Sequence, residues 1–306
     1  MKENSATFRR SAHDVLKHHF GKAPKQLRAI NGGLVNHVFE ARVGRESVIV
    51  RISNAPEKLQ VFMKEQWAVA AARKQGVPTP EILEVSNELI GLPYMISRRM
   101  AGQAGGQLVC SRREILRELG HYAARINSVR THDFGHIFDW SPNKLSRNRT
   151  WQQYLQNELQ VEQRLNILRK LLQPANFRKL FAQVRELEHW SGEPNLNHGD
   201  LRLKNLILDD RQKIVGIVDW EDCMSQMAPC WELSIALHDL TTEEKHSFLE
   251  GYGLRSSEYE RIAPGVKALN LLNYAPTVGH AMERKETARL RRLAVRLNGA
   301  FDLYSL

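Results

Sequence analysis

Leu196-Asn197-His198-Gly199-Asp200-Leu201-Arg202-Leu203-Lys204-Asn205, followed by Ile217-Val218-Asp219-Trp220-Glu221, decides how this chain is read. Asp200 and Asn205 stand five positions apart on one short loop, and Asp219 comes fourteen positions after the asparagine, at the end of an apolar run. A lone aspartate is ordinarily a solvated turn residue. Three such groups in this order, between strand-like segments, are what phosphoryl transfer requires. One carboxylate accepts the proton of an attacking hydroxyl, while an amide oxygen and a second carboxylate hold Mg²⁺ against the phosphates of ATP. The pattern gives Asp200 as the base and Asn205 and Asp219 as metal ligands.

Working outward, the runs 206–208 and 214–218 read as a strand pair around the turn Asp209-Asp210-Arg211-Gln212. Amphipathic helices flank it: 111–129 with Ser111 as N-cap, 151–172, 177–190, and more from Trp231 to the end. The stretch 131–150 reads as loop. The first hundred residues have another character. After a helix over 5–20 come short β-type runs at 27–30, 35–43 and 47–52, broken by Asn31-Gly32-Gly33 and Gly44-Arg45-Glu46. A helix over 58–75 ends at Gly76-Val77-Pro78, and strands follow at 81–86 and 93–100. The expectation is an α+β protein of two lobes: residues 1–97, a five-stranded antiparallel sheet with a helix, and residues 98–306, mostly helical and carrying the catalytic loop.

Composition bounds the function. With 306 residues, 42% hydrophobic and 25% charged, the chain can bury a full core. No apolar run is long enough for a membrane span, and Met1-Lys2-Glu3-Asn4 leads into a charged segment unlike a signal peptide, so a soluble, cytoplasmic protein is expected. The three cysteines, Cys110, Cys223 and Cys230, fit neither a zinc site nor a disulfide framework. His13, His18 and His19 read as surface residues of the first helix. The net charge of +10 raises the question of nucleic acid. The basic residues are dispersed, however, and the densest cluster, around Arg284–Arg296, is interleaved with Glu283 and Glu286 as on a solvated helix face. No nucleic-acid or membrane partner is expected, and the oligomeric state is left open.

The two-lobe order resembles the protein-kinase-like fold. His198-Gly199-Asp200-Leu201 with Asn205, then Val218-Asp219-Trp220-Glu221, resembles the aminoglycoside phosphotransferase and choline kinase superfamily over nearly the whole chain. Val50-Arg51-Ile52, Ile96-Ser97-Arg98-Arg99, Phe134-Gly135 and Thr150-Trp151 are most similar to the branch containing hygromycin B phosphotransferase. The resemblance implies an ATP- and Mg²⁺-dependent kinase of a small-molecule hydroxyl.

It also assigns further residues. Gly32 and Gly33, with Asn36, join two strands where backbone N–H groups can approach phosphates. Arg51 stands where the superfamily often has a lysine holding the α- and β-phosphates, a substitution of a planar fork for a point charge. Glu65 on the next helix is its natural ion-pair partner. Ser97 and Arg99 fall at the hinge, where the Ser97 carbonyl and the Arg99 N–H would meet the adenine edge, with Val35, Ile49 and Ile207 as apolar walls. Arg202 has two readings, facing the transferred phosphoryl group or lying on the surface. His198 supports the loop, and Glu232 stands where the superfamily braces it. The acceptor is an aminoglycoside-type antibiotic or, alternatively, a sugar, amino alcohol or other metabolite. Glu221, Asp222, Asp239, Glu243, Glu244 and Glu283 are the carboxylates available to a polycation. A nucleotide-binding pseudokinase is a further alternative that the intact Asp200, Asn205 and Asp219 disfavour.

Overall fold

The computed structural model describes residues 2–30, 36–107, 112–136 and 148–301. In chain order the elements are α1 (Lys2–Phe20), β1 (Gln26–Ile30), β2 (Asn36–Val43), β3 (Glu46–Ser53), α2 (Lys58–Lys74), β4 (Ile82–Ser86), β5 (Tyr94–Arg98) and β6 (Gln103–Ala104). Then come α3 (Arg113–Asn127), α4 (Trp151–Asn157), α5 (Val161–Arg169), α6 (Pro174–Glu188), β7 (Pro194–Asn197), β8 (Leu206–Leu208), β9 (Ile214–Ile217) and β10 (Met224–Met227). Four helices end the chain: α7 (Cys230–Ala236), α8 (Thr242–Tyr252), α9 (Ser256–Glu283) and α10 (Thr287–Gly299). No described helix is long and apolar enough to cross a membrane.

The chain divides into two compact units, residues 1–107 with 203–221, and residues 108–202 with 222–306. This partition and the 97/98 lobe boundary drawn from the sequence differ in one respect that matters for chemistry: 203–221, with Asn205 and Asp219, packs with the first unit.

The first unit is built on an antiparallel sheet of order β1-β2-β3-β5-β4. Side chains alternate across a strand, so β2 and β3 sort their residues by face. Phe39, Ala41, Val43, Val48, Val50 and Ile52 are buried in one cluster with Phe8, Ala12, Val15 and Leu16 of α1. Each such side chain contributes about 1.5–3 kcal/mol when fully buried. The alternation that sends Val50 and Ile52 to α1 turns Arg51 to the opposite face. His19 at the end of α1 bonds Glu84 at 2.5 Å, so it is not the plain surface residue the sequence suggested.

The second unit is helical. α3 crosses α8 closely on two glycines used reciprocally: a Cβ on Gly120 would collide with the Phe248 carbonyl, and one on Gly251 with the Arg117 carbonyl. α8 carries a full capping box, Thr241 with Glu244, and ends on Gly253 in the left-handed region.

Two points differ from the reading of the sequence. The single helix over 151–172 is two helices, because Gln160 takes φ 52° and breaks the backbone between α4 and α5. Before the break, Glu158 turns to accept from the His136 N–H and Asn148 Nδ2. The strands β6, β7 and β10 were not anticipated; β7 and β10 pair with each other as Met224↔Asn197 through Met227↔Pro194. Ser111, expected as an N-cap, lies outside the described residues, as does Cys110.

Candidate active site

In the first unit the site grows from the β8–β9 hairpin. Its register pairs Leu206 with Ile217, and the Val218 N–H donates to the Asn205 carbonyl at 2.9 Å. Asn205 enters the hairpin where Asp219 leaves it, so fourteen residues of sequence become one rung of a ladder. The Asp209 carboxylate closes the tip by accepting from the N–H groups of Arg211 and Lys213 at 2.9 and 2.8 Å. Asn205 is buried, and Asp219 takes φ 68°, a left-handed turn that aspartate tolerates better than most residues.

Arg51 reaches this region from β3. Its guanidinium holds Glu65 of α2 by two parallel bonds, Nη1 to Oε2 at 2.8 Å and Nη2 to Oε1 at 3.0 Å. The Arg51 side chain is 15% exposed and Glu65 only 3%. Glu221 lies 3.7 Å from Arg51 and bonds Lys58 at 3.0 Å. Burial works against the charge on Arg51, but Glu65 outweighs it, with Glu221 and Asp219 adding, so the guanidinium is held above its usual value. The structure thus joins Arg51 to Glu65 as the sequence suggested and brings Asp219 into the same field. Lys58 and Glu221 complete the network. Lys58 gave no signal in the sequence, and Glu221, which closes the Val218-Asp219-Trp220-Glu221 motif, was counted among the carboxylates open to a polycation and not as a neighbour of Arg51.

Gly32, Gly33 and Val35 lie outside the described residues. Asn36 opens β2, and its buried Oδ1 has no hydrogen-bond partner among the described residues. Ile49 and Ile207 are half-buried.

The expected hinge contacts are corrected. The Arg99 N–H donates to the Ser47 carbonyl at 2.9 Å, and Ser97 stands opposite Ile49, so both residues turn their backbone groups toward β3. The Arg98 N–H turns the other way, to the Glu81 carbonyl at 2.8 Å. A slip of one residue along a strand exchanges its two edges. The side chains of Arg98 and Arg99 are spent on surface pairs with Glu81 and Glu40.

In the second unit, β7 runs into the loop of residues 198–202 and β10 lies beside it. Asn127 of α3 fixes the strand by donating to the Leu196 carbonyl at 2.9 Å. Glu232, wholly buried on α7, accepts from the His198 N–H at 2.5 Å. Burial pushes its carboxyl up to about 7; the N–H groups of His198 and Gly199 oppose that push and Asp200 adds to it. The His198 ring accepts the Asp200 N–H on Nδ1 at 3.3 Å, which leaves its proton on Nε2. Gly199 sits at φ 81°, and a Cβ there would strike the Asp222 carbonyl. These contacts orient Asp200, which is 5% exposed. Arg202 clasps it: Nε lies 2.5 Å from Asp200 Oδ1, and Nη2 meets the same oxygen. Arg202 is 38% exposed and paired with Asp200. Cys223 and Cys230 are buried free thiols, and burial pushes the Cys230 thiol up to about 12.

The chain matches the model of a phosphotransferase enzyme family over residues 26–264. No curated protein matches its sequence. Solved structures share its fold. One is a thermostable mutant of aminoglycoside phosphotransferase APH(4)-Ia in ternary complex with AMP-PNP and hygromycin B. It is 16% identical with TM-score 0.67, over 94% of this chain and 97% of that one. Macrolide 2'-phosphotransferase MphH from Brachybacterium faecium is 17% identical with TM-score 0.62, over 94% and 97%. A putative fructosamine-3-kinase from Haemophilus somnus is 14% identical with TM-score 0.60, over 94% and 96%.

Proposed function

Because this chain belongs to the phosphotransferase enzyme family, we propose that it moves the γ-phosphoryl group of ATP to a hydroxyl of a small molecule. The observation that carries this reading is the convergence of Arg51, Glu65 and Asp219, residues from a strand, a helix and a hairpin, into one charged cluster. A planar guanidinium fixed from behind by a buried carboxylate is a ready clamp for phosphate oxygens.

Asp219 and Asn205 supply a carboxylate and an amide oxygen, hard donors that fit a Mg²⁺ ion completing its shell with phosphates and water. When bound, that ion neutralises charge on the phosphates. Asp200 is the catalytic residue toward the acceptor. The acceptor oxygen bonds to the γ-phosphorus as the bond to the bridging oxygen breaks; that electron pair leaves on ADP, and the hydroxyl proton passes to the Asp200 carboxylate. Arg202 is a positioning residue that holds this carboxylate in place. For the adenine edge, the backbone alternation favours the Arg98 carbonyl and the Met100 N–H, on the side away from β3.

The test is ADP release with Mg²⁺–ATP across a panel of alcohols, with Asp200→Asn alongside. Loss of a general base costs about 10²- to 10⁴-fold. Equal release by both proteins, or ATP binding with no turnover of any acceptor, would defeat the reading; the latter would favour a regulatory nucleotide-binding protein.

A further inference from the structure

Asn127, the last residue of α3, is buried, and both ends of its amide are engaged. Nδ2 donates to the Leu196 carbonyl at 2.9 Å and lies 3.5 Å from Asn197 Oδ1. Oδ1 accepts the Tyr252 hydroxyl, which reaches over from α8 at 2.9 Å. A carbonyl only accepts, so Nδ2 must face Leu196, and Oδ1 is then satisfied by the tyrosine. Burial, with Glu232 and Cys230 adding, holds the Tyr252 phenol above its usual value, so it keeps the proton it donates.

The close crossing of α3 and α8 makes this reach possible. Tyr252 follows Gly251, and a Cβ on Gly120 would come within 2.8 Å of the Tyr252 backbone nitrogen. Asn127 stands about two turns and 10 Å beyond Gly120, on the same face of α3. The tyrosine side chain bridges that gap.

The strand that Asn127 holds runs directly into the loop of Asp200. Three consecutive residues there are tied by buried side chains. Asn127 takes the Leu196 carbonyl, Asn197 Nδ2 donates to the Gln226 carbonyl at 3.1 Å, and Glu232 of α7 takes the His198 N–H. Asp200 stands two residues further on.

We propose that Tyr252 and Asn127 are positioning residues for Asp200: the hydroxyl on α8 fixes the Asn127 amide, and the amide fixes the strand from which the Asp200 loop departs. The catalytic consequence rests on the phosphotransferase reading; the relay from Tyr252 to Leu196 does not. A rival support is present as well. The Leu196 N–H donates to the Val129 carbonyl at 2.9 Å, and the Thr131 N–H to the Pro194 carbonyl at 3.1 Å. If that backbone pairing alone holds the strand, the relay is dispensable.

Two measurements on the full chain separate these arrangements, with wild type, Tyr252→Phe, Asn127→Ala and the double variant. Tyr252→Phe keeps the ring and removes only the hydroxyl. The first measurement is ADP release with Mg²⁺–ATP and an accepted alcohol. A misplacement of about 1 Å costs on the order of 10²-fold, so kcat should fall about tenfold in Tyr252→Phe while the KM for ATP stays put. Residues acting in series are not additive, so the double variant should be no slower than Asn127→Ala. Unchanged kcat, effects that multiply, or a KM for ATP that rises as kcat falls would each overturn the proposal.

The second is amide hydrogen exchange, which needs no turnover. Tyr252→Phe should speed exchange over residues 196–201 by about tenfold and leave the middle of α3 and the β2–β3 pair at wild-type rates. Exchange that rises equally along α3 and α8 marks the hydroxyl as a bond between two helices only, and overturns the proposal; so does unchanged exchange over 196–201. Faster exchange confined to the strand and loop, with no ADP release by wild type from any acceptor, sustains the relay and sinks the phosphotransferase reading.

Discussion

Arg51 and Glu65 face each other as a fork on a fork, 2.8 and 3.0 Å across their two bonds, with Glu65 sealed from water. Removing one partner of such a pair strands the other charge, which costs about 3–5 kcal/mol. Glu65→Gln is expected to lower the unfolding free energy read from a urea titration by an amount in that range and to raise the KM for ATP. Arg51→Lys keeps the charge and loses the fork. It should preserve most stability while raising the KM for ATP about tenfold. Unchanged ATP kinetics in Arg51→Lys would show that the fork serves the fold alone.

Glu232 links stability to pH. Its carboxyl is raised from 4.5 to about 7. Between those values the folded chain keeps a proton that the unfolded chain has released, so stability falls as pH rises through this window and levels off above it. The fall is about 3 kcal/mol. Glu232→Gln still accepts the His198 N–H and should flatten the dependence. Urea midpoints at pH 5 and pH 8 decide it: the wild-type difference should shrink in the variant.

Gly199→Ala should be among the most damaging single-methyl changes in the chain. The position needs φ 81°, and a Cβ meets the Asp222 backbone, which has little room to retreat beside β10. Strain at such a residue costs about 1–3 kcal/mol. We expect kcat to fall by 10²-fold or more while ATP binding, read by nucleotide titration, stays near wild type, since Arg51 and Asp219 belong to the other unit.

Asp219→Asn keeps size and shape but removes the only charge of the proposed ligand pair. Half-saturation by Mg²⁺ should move up tenfold or more, and chelation by EDTA should silence wild type and variant alike. An unaltered Mg²⁺ titration would take Asp219 out of the metal site.

Much of this was legible in the sequence, for physical reasons that differ by element. The strands of the first unit alternate cleanly because one face lies on α1, so Phe39, Val48 and Val50 announce their side. His198-Gly199-Asp200 and Asp219 were readable because their spacing is short and their chemistry demanding. Pro194–Asn197 and Met224–Met227 were not, because a four-residue strand with mixed side chains has no period and its partner lies some thirty residues away. The break at Gln160 was hidden for a related reason: the turn is set by Glu158 reaching across to His136 and Asn148, a tertiary contact that overrides helical periodicity. The edge to which Ser97 and Arg99 turn their backbone groups was not legible, because strand edges depend on register, which only the pairing of Ile49 with Ser97 reveals.

The hairpin between Asn205 and Asp219 has a consequence for how such a gene can change. The proposed ligand pair is set by the rung at its open end, and the Asp209 turn at the tip lies several residues from it. Codons added at the tip lengthen a surface loop and leave the pair where it was. A single codon lost from either strand shifts one ligand by a rung and turns it to the wrong edge. Related genes can therefore drift in the length between these two residues while the distance between them in space is inherited unchanged.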